Sequence, residues 1–335
     1  MSQPRSRGLA VLGLGATALL ALTACSSSDD GASDGAGDPG DDQVKIGVLQ
    51  FVQHDALDAA TEGFKEAVDV AGINAEYDDQ NAQGEVANTN TIASTFASDG
   101  DLDLVLANAT PSAQAAAQQI IDIPVLFTSV TDAVEAGLVD SNEAPGSNVT
   151  GTSDLNPVAE QLELLTEIAP DAKTVGVVYS SGEVNSEVQV ELAKDAASEL
   201  GLTIEEATVS NSAEVQQAAQ SLDGVDAFYV PTDNTVVSGI AALIQVAEQN
   251  QIPVISGDSG PVEGGAIATL GIDYYKLGYQ TGEMAASILQ NGEDPAEMPV
   301  ETSNDVELII NPAAAERMGV ELPASVVDRA DQVIE

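Results

Sequence analysis

Tryptophan is absent from this 335-residue chain, histidine and cysteine occur once each, and nine Lys and Arg face 55 Asp and Glu. Each shortage excludes something. A single cysteine, Cys25, allows no intrachain disulfide. One histidine, His54, with no second cysteine leaves no His/Cys pattern of the kind that binds zinc. No GxSxG nucleophile elbow occurs, and the Gly-rich stretch 257–265 lacks the lysine of a phosphate loop. The acidic stretches near the N-terminus do not complete a calcium-loop pattern. No enzymatic activity, cofactor or metal is therefore expected. A formal charge of −46 argues against a nucleic-acid partner, which needs a basic footprint. The same charge suits saline surroundings, where screening shortens self-repulsion, although a generally acidic proteome would look alike.

What is present begins with an export signal. Arg5 and Arg7 precede an apolar run at 9–22, too short and too flanked by small residues to read as a membrane span. The run closes on Leu22-Thr23-Ala24-Cys25, which resembles the lipobox of bacterial lipoproteins. A signal peptide at 1–24 and lipid attachment at Cys25 are expected, with an ordinary secretory peptide as the alternative. Residues 26–43 hold no large apolar side chain, so 25–43 reads as a flexible acidic tether. The body would then sit on the outer, extracytoplasmic face of the cell membrane.

About 290 residues follow the tether, more than one average domain. Strands are expected at 44–49, 73–77, 102–106 and 123–127, alternating with helices at 56–71, 86–98 and 111–119. After a non-periodic stretch at 128–156, a second series places strands at 173–179, 202–206, 225–230 and 252–255 among helices at 184–200, 212–222 and 235–249. A strand at 266–272, a helix at 274–290, a strand at 306–310 and short helices at 311–317 and 325–333 complete the chain. Such alternation calls for α/β architecture with parallel sheets covered on both faces.

In open parallel sheets, ligands sit beyond the carboxyl ends of the strands. The polar residues there are Gln53, Asn108, Thr110, Thr128, Ser129, Ser180, Asn185, Ser186, Thr232, Asp233 and Asn234, with Asp258 and Asp273 after later strands. Turn and cap chemistry explains some of them without any ligand. Thr110 before Pro111 opens a helix, its hydroxyl read as a cap, and free amides there also suit a carboxylate. Asp233 is the first choice for a buried ammonium, then Asp273, then Asp258. Asn185 and Asn234 both donate and accept. Phe51, Tyr179 and Tyr275 are the aromatics at strand ends or connecting loops, placed to pack on a ligand side chain. His54 follows strand 1 and reads more readily as a polar loop residue than as a catalyst. The residues alone fit a zwitterion with an apolar side chain.

Six segments carry a resemblance: VLANATPSAQAAAQ at 105–118, PVLFTSVTDAVEAGLV at 124–139, PGSNVTGTSD at 145–154, VGVVYSSGEVNSEVQV at 175–190, YVPTDNTVVSG at 229–239 and GIDYYKLGYQTGEMAASIL at 271–289. Together they resemble the tryptophan/tyrosine-type substrate-binding proteins of ABC transporters across 44–334. The resemblance implies two Rossmann-like lobes of the type I periplasmic-binding fold, joined by a three-strand hinge. Lobe 1 is expected at 44–128 plus 257–295 and lobe 2 at 132–255 plus 300–335, with crossings near 128–135, 256–265 and 293–303. It further implies an aromatic amino acid as the small-molecule ligand, a membrane permease as partner, and a monomer. A ligand-sensing receptor feeding a signalling partner, or an importer component for another apolar or heterocyclic solute, would use the same binding chemistry.

Overall fold

The computed structural model describes residues 43–303 and 305–334, so the signal segment, Cys25 and the tether lie outside the described residues. The first series of elements is β1 (Val44–Gln50), α1 (Asp55–Val70), β2 (Ala75–Asn81), α2 (Val86–Ser98), β3 (Leu104–Asn108), α3 (Thr110–Gln119), β4 (Val125–Val130) and β5 (Val149–Ser153). The second runs α4 (Val158–Ile168), β6 (Thr174–Ser180), α5 (Val184–Leu200), β7 (Thr203–Val209), α6 (Val215–Ser221), β8 (Ala227–Val230), α7 (Asn234–Ser238), α8 (Ile240–Asn250), β9 (Val254–Ser256), α9 (Ser259–Glu263) and β10 (Ala268–Ile272). The chain closes with α10 (Tyr274–Ala286), β11 (Glu301–Thr302), β12 (Val306–Ile310), α11 (Pro312–Arg317), α12 (Ala324–Val327) and β13 (Gln332–Val333).

The strands form two sheets, ordered β11-β5-β4-β3-β1-β2 and β13-β12-β10-β9-β8-β6-β7. All pairings are parallel except β10 with β12. The central strands β3 and β4 are buried along their whole length, as strands covered by helices on both faces must be. Two α/β lobes therefore stack their own cores, and the fold is the doubled Rossmann-like one expected.

Strand pairing moves the expected lobe boundaries. Residues 149–153, assigned above to lobe 2, pair with β4 in the first sheet. Residues 268–272, assigned to lobe 1, pair with β9 and β12 in the second sheet, and 301–302 pair with β5 in the first. The chain passes between sheets at 154–157, at 273 and between Thr302 and Val306. β5 escapes periodicity because its hydroxyls are satisfied internally. Thr150 donates to Met298 O at 2.8 Å, and Thr152 contacts Thr128 at 3.2 Å and Thr281 at 2.8 Å. Its Gly151 meets β4 so closely that a Cβ would lie 1.9 Å from Phe127 O. The C-terminal stretch expected as a helix at 325–333 is instead α12 followed by the short strand β13.

After leaving the second sheet, α10 returns to pack on α1 of the first lobe. Gly278 makes this possible, since a Cβ there would fall 1.8 Å from Ala60 O. The helix thus straps the end of β10 to lobe 1 and places its first turn at the mouth of the cleft.

Candidate functional site

The carboxyl ends of both sheets face each other across a closed cleft. His54 Nε2, in the loop after β1, meets Asn234 Oδ1 on lobe 2 at 3.3 Å, and Gln189 Nε2 on α5 reaches Thr131 Oγ1 beyond β4 at 3.5 Å. Between the lobes lies a small, tightly closed cavity. His54, Ala56, Leu57 and Ser129 line it from lobe 1, Asn185, Thr232, Asp233, Asn234, Val237 and Asp258 from lobe 2, and Asp154 and Tyr274 from the crossings.

No Lys or Arg lines this cavity, whereas three buried carboxyl groups do. Asp233 caps α7, with Oδ1 accepting from Val236 N at 2.7 Å and Oδ2 from Ser180 N at 2.6 Å and Ser186 Oγ at 2.7 Å. Burial, reinforced by the Glu183 charge, pushes its carboxyl up to about 7. Asp154 accepts from Thr131 Oγ1 at 3.0 Å and Tyr274 Oη at 2.7 Å, and burial raises it too. Asp258 Oδ1 accepts from Gly260 N at 2.9 Å in capping α9. Its Oδ2 receives no hydrogen bond among the described residues. Burial, with the nearby Asp154 and Glu263 charges, pushes Asp258 up to about 7 as well. Among the described residues no group of three or more His, Cys, Asp or Glu is arranged to hold a metal ion. A cavity with this balance favours a ligand that brings its own positive charge.

Six buried side-chain polar atoms lack a hydrogen-bond partner among the described residues: His54 Nδ1, Asn108 Oδ1, Thr110 Oγ1, Ser112 Oγ, Ser129 Oγ and Asn185 Oδ1. Every one lies at or just after the carboxyl end of a strand. Native proteins leave few such groups unsatisfied, so their concentration around one cleft marks where a ligand completes the network. Three of them belong to the entrance of α3 and the end of β4. There Ala109 and Ser129 hold positive φ of 76° and 57°, and the β4–β5 register shifts between Phe127 and Val130. A bulge of this kind re-aims a side chain, here the Ser129 hydroxyl that lines the cavity. The first helical bond of α3 runs from Ala113 N to Ala109 O, so the Thr110 and Ser112 amides precede it and remain available to an anion.

Of the residues singled out from sequence, Ser129, Asn185, Thr232, Asp233, Asn234 and Asp258 line the cavity. Ser186 braces Asp233 from behind. Thr128 and Asn108 are buried beside the cleft, Asn108 Nδ2 tying Leu57 O at 2.8 Å and Thr61 Oγ1 at 2.9 Å. Thr110 is the first residue of α3 rather than its cap; Ala109 holds the cap position and no side chain bonds there. The others point elsewhere. Phe51 packs in a core with Leu57, Ala82 and Ala109. Gln53 is exposed and donates to Asp58 at 3.2 Å. Tyr179 donates to Glu206 at 3.1 Å on the outer side of lobe 2. Asp273 caps α10 and pairs with Lys276 at 3.4 Å, while Tyr275 bonds Glu66 on the surface. Three polar liners were not picked as ligand contacts, Asp154, Tyr274 and His54, nor were the apolar Ala56, Leu57 and Val237. Tyr274 was findable as the other half of a tyrosine pair at a helix start.

The comparisons agree with this geometry. A tyrosine-binding protein of Clostridioides difficile (strain R20291) is 44% identical over 297 residues, covering 87% of this chain and 86% of that one. A structure from Streptococcus pneumonia in complex with L-Trp shares 36% identity at a TM-score of 0.84, covering 87% of this chain and 100% of the other. The ligand-free, open structure of a substrate-binding protein with adhesive properties from Clostridium difficile shares 48% identity at a TM-score of 0.66, covering 87% and 99%. Residues 45–334 match the family described as ABC transporter substrate binding protein, and with the identity to the relatives above the chain belongs to that family.

Proposed function

We propose that this protein captures an aromatic amino acid as its zwitterion between the two lobes, outside the cytoplasm, and delivers it to the permease of an ABC importer, held at the membrane by lipid on Cys25. The cluster of unpartnered buried polar atoms at the strand ends carries this reading. The ligand ammonium meets Asp258, whose Oδ2 is uncommitted, with Asp233 behind it; Asp233 moves from first choice to second because both its oxygens already serve the α7 cap and β6. The ligand carboxylate is received by Ser129 Oγ and the opening of α3 at Thr110, neutral donors in place of the scarce cations.

Two comparisons support the ligand class and the state of the lobes. Of the relatives named above, one is a tyrosine-binding protein and one carries L-Trp, and the chain superposes better on the Trp complex than on the open form despite sharing less sequence with it. Closure of the lobes around a ligand is the population shift by which binding reports itself to a partner.

The test is calorimetric titration of protein stripped of ligand by unfolding and refolding, in high-salt buffer, against the twenty amino acids and a set of purines and small apolar acids. Saturable one-to-one binding of tyrosine or tryptophan is expected. Silence from every amino acid with a response to another solute would overturn the zwitterion roles.

A further inference from the structure

His54 is the lone imidazole of the chain, and its protonation state follows from a relay of hydrogen bonds behind it. Glu183 is buried and accepts five of them. Its Oε1 takes Thr235 N at 3.0 Å and Thr235 Oγ1 at 2.7 Å; its Oε2 takes Asn185 Nδ2 at 3.2 Å, Asn234 N at 3.2 Å and Asn234 Nδ2 at 2.6 Å. A carboxylate so loaded acts only as an acceptor, which fixes the Asn234 amide with its nitrogen toward Glu183 and its oxygen toward the cleft. That oxygen faces His54 Nε2 at 3.3 Å, so Nε2 must carry the hydrogen. Burial lowers the tendency of the ring to take a second proton, leaving a neutral imidazole whose Nδ1 is a bare lone pair. That Nδ1 is shut off from solvent, caps nothing on α1 and has no partner.

An unpaired acceptor in the wall of a closed cavity requires a donor from the ligand. The ammonium has a stronger, charge-assisted acceptor available in Asp258, so the donor left for a neutral nitrogen is a neutral one. We propose that His54 Nδ1 is the specificity-determining acceptor for a ring donor, the phenol O–H of tyrosine or the indole N–H of tryptophan, and that phenylalanine is rejected for lacking one. This rests on the aromatic amino acid reading above. The relay from Glu183 through Asn234 to His54 crosses from lobe 2 to lobe 1, so the ring donor also completes the contact that holds the lobes together.

The experiment titrates the full, untagged chain and its His54→Leu variant with tyrosine, tryptophan and phenylalanine. The unmodified protein is expected to prefer tyrosine or tryptophan over phenylalanine by at least about tenfold, since a site built to bond a ligand O–H or N–H discriminates strongly against its absence. In His54→Leu that preference collapses to within roughly threefold while phenylalanine binding persists. Equal loss of all three ligands, or phenylalanine matching tyrosine in the unmodified chain, overturns the proposal. Binding of none of the three by the unmodified chain overturns the aromatic reading itself, and this assignment with it. Long-range proton–nitrogen NMR of the single imidazole gives an independent readout that requires no variant. The Nε2–H tautomer is expected, with the Nδ1 resonance moving on addition of tyrosine and not of phenylalanine. An Nδ1–H tautomer overturns the relay.

Discussion

Asp258 is a carboxyl group held where a carboxylate is unwelcome. Its folded value stands near 7 against an ordinary 3.8, so between those pH values the folded protein keeps a proton that the unfolded chain releases. The stability this contributes is complete below about 3.8 and is lost as pH rises to about 7. Asp258→Asn is therefore expected to stabilise the ligand-free protein at pH 8, by up to roughly 4 kcal/mol, and to change little at pH 3.5, as read by urea unfolding at both pH values. Binding should move the opposite way, because an ammonium competes with the proton for the same oxygen. Affinity of the unmodified protein falls as pH drops from 8 to 5, whereas Asp258→Asn binds about 30-fold or more weakly and with a flatter pH profile by calorimetry. Sequence reasoning reached this residue because acidic groups after strands are few and visible. It did not rank it, because rank depends on which oxygens the caps have already taken. Tyr274 and Tyr275 show the same limit, since adjacent positions at a helix start point about 100° apart and only packing decides which faces the cleft.

At the scale of elements, the alternating strands and helices of both series were legible because each strand is an apolar run and each helix carries a stripe. β5 and α4 were not anticipated: VTGTS has no large apolar residue beyond Val149, and its burial depends on hydroxyls finding partners in β4 and α10. The lobe boundaries failed for a related reason, as β10 belongs by pairing to one sheet while the helix that follows it belongs by packing to the other. The contact between α1 and α10 has no slack. Gly278→Val places side-chain atoms into the Ala60 carbonyl, and a loss of about 3 kcal/mol or more is expected, read as a lowered Tm with the two helices forced apart. A variant as stable as the parent would show that the helices do not meet this closely.

For the whole molecule, charge is the dominant global term. With −46 on the chain and eight ion pairs among the described residues, all at least partly exposed, self-repulsion exceeds what those pairs return. Raising NaCl from about 0.05 M to about 1 M shortens the Debye length from over 10 Å to about 3 Å, and Tm is expected to climb across that range. KCl should act equally if screening is the cause; a Tm indifferent to both salts would show that the acidic surface is already neutralised.

The three passages between lobes, at 154–157, at 273 and between Thr302 and Val306, also bear on how such a protein can be inherited in pieces. Neither lobe is a contiguous stretch of gene. The first lobe needs α10 and β11 from late in the chain, and the second is interrupted by them. A single recombination breakpoint between two such genes can therefore never exchange one intact lobe for another. Any chimera joined at one point carries a lobe assembled from both parents, with the glycine-tight meeting of α1 and α10 as the seam that must match. New ligand preferences in this architecture are accordingly reached more readily by changing a few side chains at the strand ends than by shuffling lobes.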